Sequence, residues 1–221
     1  MSIWWMIQKD LVSEWRSRRA WPAMLLLGIV VAVVFSVQMD LPPEYKRQMA
    51  ASLLWVAIFL AAALTLDRSF ALEREDGRWQ ALLLYPVSPS SLYLAKLVVN
   101  VVWLAALEGV LIPLFAVLTD VPLLSHPWAM TLVALLGNLG IASAGTLLSA
   151  LAARVQGGAN LTVLLALPAA IPVVLAAAEA TRLLAEGRLD AAWWDWNGLL
   201  AAFAAIFTVA GMVLMDFVVE E

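Results

Sequence analysis

DRSFALEREDGRWQALLLYPVSPSSLYLAK, Asp67 to Lys96, is the one long charged and amphipathic stretch in a chain otherwise built of apolar runs. Two such runs precede it, Trp21–Gln38 and Met49–Leu66. Four follow it: Leu97–Leu118, Trp128–Ala153, Leu161–Ala178 and Leu199–Met215. Each is close to or above the roughly 18 apolar residues that let a helix cross a bilayer. Of the 221 residues, 64% are hydrophobic and 14% carry charge, against about 25% charged in ordinary soluble domains. A water-soluble chain of this length cannot bury six such runs around one core. The expected fold is all-α: a polytopic membrane protein with six transmembrane helices in a single domain spanning residues 1–221.

The charged stretch resolves into helices and stops. The apolar run from Met49 continues into DRSFALERED, which favours helix and ends at Gly77, a residue common just beyond a helix C-terminus. A helix over 49–76 would be about 42 Å long and would outreach the hydrocarbon core of roughly 30 Å. Arg78–Tyr85 then places Trp79, Leu82 and Leu83 on one helical face, and Pro86 stops it. Ser88 is placed to cap a further helix with Pro89 at its first position, running to Leu118. Residues 67–96 therefore read as a hairpin of two projecting helices joined by a short transverse one, its apolar face open to a partner. The alternative is an amphipathic loop lying flat on the membrane.

Charge sets the expected orientation. Lys9, Arg16, Arg18, Arg19, Arg68, Arg74, Arg78, Lys96 and Arg154 fall on one side, against Lys46, Arg47, Arg182 and Arg188 on the other. By the positive-inside rule both termini and the hairpin are cytoplasmic. The first run has too long a charged prelude and no small-x-small site after it, so it reads as a retained signal anchor. Before it, Trp4, Ile7, Leu11 and Trp15 recur at helical spacing opposite Lys9, Glu14 and Arg16. Residues 1–20 are expected to form an interfacial helix, with Trp21-Pro22 marking the break from the first span. A straight extension of that span is the other reading.

The sequence excludes several chemistries. No G-x-x-x-x-G-K-[ST] loop is present, so the chain does not bind nucleotide in that way. Without cysteine there are no disulfides, thiolate metal sites or C-x-x-C-H haem attachments. With one histidine, His126, a His-rich metal cluster is impossible, and no paired nucleophile and base lies in the spans. The chain itself is expected to bind no metal or cofactor and to catalyse nothing.

The apolar runs still hold polar groups. Glu108 is the one carboxylate deep in a span, where ionisable groups by default suggest function. The plainer reading is a protonated Glu108 hydrogen-bonded to a neighbouring helix through Asn138. Asn100 and Asn138 read as helix-to-helix glue. Gly140 with Ala144, and Gly145 with Ser149, allow close helix approach. Pro168 and Pro172 in LPAAIP predict a kink or local break in the fifth span. Trp21, Trp128, Trp193, Trp194 and Trp196 flank apolar runs as an aromatic belt; stacking on a ligand is an alternative for the last three.

The segment LDRSFALEREDGRWQALLLYPVSPSSLYLAK, followed by RVQGGANLTVLLALPAAIPVVLAA, closely resembles the haem-exporter B permeases (CcmB) of cytochrome c maturation. QKDLVSEWRSRRA and LLWVAIFLAAALTLDR are similar to that family too, so the resemblance covers nearly the whole chain. It implies an ABC-2-like permease subunit of the inner membrane that pairs with a second copy of itself and with a separate ATPase subunit, CcmA. Membrane subunits CcmC and CcmD belong to the same assembly, and ATP hydrolysis in the partner helps release the haem-loaded chaperone CcmE. ATP and haem then belong to the assembly, and nucleic acid to none of it. By the same resemblance Glu73, Arg74, Glu75, Asp76, Gly77, Arg78, Trp79, Leu82, Leu83 and Pro86 form the ATPase-coupling region. Trp79, Leu82 and Leu83 would fill a groove on the ATPase while the charged residues set register. Glu108 and His126 match no family motif; His126 could ligate haem iron, but a histidine in a short turn is the plainer account. Two alternatives remain: an ABC-2 exporter subunit for a lipid, drug or polysaccharide, and a stand-alone secondary transporter using Glu108 as its proton site.

Overall fold

Ser88 begins the longest helix. Its backbone is extended (φ −66°, ψ 139°), its hydroxyl accepts from the Ser91 amide at 3.4 Å, and Pro89 follows with no amide hydrogen to satisfy. The computed structural model describes residues 3–17, 20–37, 42–66, 88–153 and 161–220. They form seven helices: α1 (Ile3–Ser17), α2 (Ala20–Val37), α3 (Pro43–Leu66), α4 (Pro89–Thr119), α5 (Pro127–Ala153), α6 (Leu161–Ala185) and α7 (Ala191–Glu220). The transverse helix expected at residues 78–85, and the projection of the preceding helix to residue 76, lie outside the described residues.

Helices α3 to α7 are each long and apolar enough to cross a membrane. The axes of α1 and α2 differ by 66°, and the pair adds a sixth crossing if taken as one bent span. All described secondary structure is helical, and the chain is a multi-pass α-helical membrane protein.

Two helices extend beyond the apolar runs that announced them. α3 starts at Pro43, six residues before Met49, and takes Lys46 and Arg47 into its first turns. Apolarity marks where a helix can enter lipid, whereas Pro43 at the first position and the helix-favouring EYKRQ mark where it begins. α6 continues past Ala178 to Ala185. There Arg182 pairs with Glu179 at 2.8 Å and with Glu186 at 2.7 Å, spacings of three and four residues that support a helix. Pro168 and Pro172 fall inside α6, which continues through both.

α5 packs on α3, α4, α6 and α7, and α4 packs on α1, α2, α3, α5 and α7. Glycines open the tightest contacts. A Cβ on Gly137 would strike the ring of Trp55, whose Nε1 donates to Thr181 Oγ1 at 2.9 Å and so ties α3 to α6. A Cβ on Gly211 would strike the phenol of Tyr93. That hydroxyl lies 3.1 Å from the Ser143 carbonyl and 3.2 Å from the Phe207 carbonyl, joining α4 to α5 and α7.

Candidate functional site

Residues Glu73, Arg74, Glu75, Asp76, Gly77, Arg78, Trp79, Leu82, Leu83 and Pro86 lie outside the described residues. The frame around them is described. α3 enters the segment at Leu66, α4 leaves it at Ser88, and the two helices pack on each other.

α1 packs on α4 as well. Met6 and Ile7 are buried against the bundle, Leu11 is partly buried, and Trp4, Trp5 and Trp15 stay exposed. Asp10, on the same face as Ile7 and Leu11, sits 2.9 Å from the buried Lys96 ammonium. Further along, Trp15 stacks on Trp103 with ring centroids 6.1 Å apart, and Trp21 of α2 packs on Trp103 at 6.2 Å. An ion pair shielded from water by its neighbours is screened far less than a surface pair. The helix that follows the charged stretch is therefore fastened to α1 by a charge-assisted contact two turns from its start.

Sequence reading missed this fastening. Lys96 counted only as a topological charge, and Asp10 was not singled out. The available signal was an acid on the apolar stripe of an amphipathic helix, Ile7-x-x-Asp10-Leu11.

Glu108 and Asn138 do meet. Glu108 of α4 is 4% exposed and Asn138 of α5 is fully buried. Asn138 Nδ2 donates to Glu108 Oε2 at 3.2 Å and to the Val101 carbonyl at 3.1 Å. Asn100 Nδ2 donates to Thr146 Oγ1 at 2.8 Å, and Thr146 in turn donates to the Ala142 carbonyl. Both asparagines therefore join α4 to α5.

The aromatic and histidine candidates gather around the α4–α5 and α6–α7 turns. His126 Nδ1 lies 3.2 Å from Ser125 Oγ in the turn before α5. Trp193 is fully buried, and its ring meets Trp128 edge-on at 5.6 Å and Trp194 at 4.9 Å. Trp128 and Trp194 are more than half exposed, so this cluster is partly core and partly surface. In the α6–α7 turn, hydrogen bonding from the Arg188 guanidinium holds the Asp190 carboxyl below its usual range. Among the described residues no group of three His, Asp or Glu side chains could hold a metal ion.

The family described as CcmB protein has a model that matches residues 1–220. A protein of Rhodobacter capsulatus named heme exporter protein B is 32% identical over 163 residues, covering 73% of this chain and 74% of the relative. Proteins of the same name from Paracoccus denitrificans and Pseudomonas aeruginosa are 30% identical over 200 residues and 27% over 184. The Paracoccus match covers 87% of this chain and 86% of the relative; the Pseudomonas match covers 83% and 82%.

Proposed function

The chain belongs to the CcmB protein family, and from that membership we propose that it is the membrane subunit of an ABC-type complex serving haem handling in cytochrome c maturation. The match over residues 1–220 carries this reading, together with relatives whose name is heme exporter protein B. The chain would cross the inner membrane six times with both termini in the cytoplasm, and residues 1–20 would lie at the cytoplasmic interface. A separate ATPase subunit, of the CcmA kind, would dock on the stretch from Glu73 to Pro86. Two copies of the chain would pair in the complex alongside CcmC- and CcmD-type subunits, and work done there would help release the haem-loaded chaperone. The chain would supply no catalytic group of its own: it has no nucleotide loop.

Trp79, Leu82 and Leu83 would insert into a groove on the ATPase, with Glu73, Arg74, Glu75, Asp76 and Arg78 fixing orientation by charge. A W79D/L82D variant is expected to insert in the membrane normally and to lose co-purification of the ATPase. Undiminished co-purification overturns the docking assignment.

A further inference from the structure

Asn138 spends both hydrogens of its amide nitrogen, one on Val101 and one on Glu108 Oε2. What remains at this junction is two buried acceptors that, among the described residues, have no donor: Glu108 Oε1 and Asn138 Oδ1. Each is bonded through one carbon to an atom already joined to the other residue. An ionised carboxylate here would sit 4% exposed, among the described residues with Asn138 as its one polar contact and with no cation in ion-pairing reach. Charges in such surroundings are strongly disfavoured unless paired, and each unmet acceptor adds its own desolvation cost. One hydrogen would satisfy both acceptors at once.

We propose that Glu108 binds and keeps a proton on Oε1 and donates it to Asn138 Oδ1. The result is a closed carboxyl–carboxamide pair in which each side chain both gives and accepts a hydrogen bond. The carboxylate takes this proton from bulk water as the helices pack, and the pair carries no net charge. A metal ion does not fit the same place, because hard cations take about six oxygen ligands and two are offered. With the third bond to Val101, the pair clamps the middle of α4 to α5. The site is a proton store that stays filled, not a relay, and it stands whether or not the ATPase reading does.

Infrared spectra of the purified full-length chain in lipid nanodiscs test it. At neutral pH the difference between wild type and E108Q should contain a protonated-carboxyl carbonyl stretch that belongs to the wild type alone. A carboxylate band in its place overturns the proposal. Thermal unfolding gives a second readout, because a glutamine can donate to Asn138 Oδ1 and accept from its nitrogen. E108Q should unfold within about a degree of wild type, whereas E108L, which leaves Asn138 without its partner, should unfold several degrees lower. An E108Q chain as unstable as E108L, or unable to insert, counts against the pair; so does an E108L chain as stable as wild type.

Discussion

Tyr93 occupies the space that Gly211 leaves empty, and its hydroxyl reaches two backbone carbonyls on two other helices. G211A therefore forces the ring aside or pushes α7 outward. The expected loss is about 1–3 kcal/mol, read as a lowered unfolding temperature in detergent. Trp55 and Thr181 offer a more selective measurement, being joined by one buried hydrogen bond across α3 and α6. A double-mutant cycle with W55F and T181V should return a coupling of about 1 kcal/mol, and a value near zero would remove the bond from the account. At this scale the sequence was uneven. Glu108 and Asn138 could be paired on paper, because a carboxyl inside an apolar run must find a donor and few candidates exist. The role of Gly211 could not: nothing in GMVLMD shows that a tyrosine 118 residues earlier in the chain lies against it. A glycine announces that a neighbour comes close, but not which one.

Helix starts and stops were legible where the signal was local. Ser88-Pro89 marked the first turn of α4 because cap and proline act on their own backbone. The start of α3 was misplaced by six residues, since hydropathy registers lipid contact rather than helical conformation. The docking of α1 was hidden for another reason: Asp10 and Lys96 are 86 residues apart, and only tertiary packing brings them together. That contact makes a test at the level of the element. D10A should loosen α1 from α4, weakening its docking by about 1–3 kcal/mol, seen as faster proteolysis within residues 3–17. The reversed pair D10K/K96D should recover much of the protection that either single change loses. If the reversed pair is no better than the singles, the ion pair is not what holds α1.

For the molecule as a whole, the absence of native cysteine makes topology directly measurable, because any introduced thiol is the only one. α4 has 31 residues, about 46 Å of helix at 1.5 Å per residue, and so outreaches a hydrocarbon core of roughly 30 Å. Its two flanks, Ser88 and Ser125, are both exposed. S88C should react with an impermeant reagent only from the cytoplasmic side, and S125C only from the other. The reverse pattern would move the Glu73–Pro86 stretch away from any cytoplasmic ATPase. The distribution of polar contacts has a mechanical corollary. Tyr93, Asn100 and Asn138 stitch α4 to α5, and Tyr93 also reaches α7; Trp55 and Thr181 stitch α3 to α6. α3 meets α5 through close packing: the Trp55 ring fills the space left at Gly137, and Leu66 the space left at Gly145. Side chains seated in such gaps set the register of close-packed helices. The α3–α6 pair is thus keyed to α5 by shape, and any movement between them must first lift a ring or a branched side chain out of its socket.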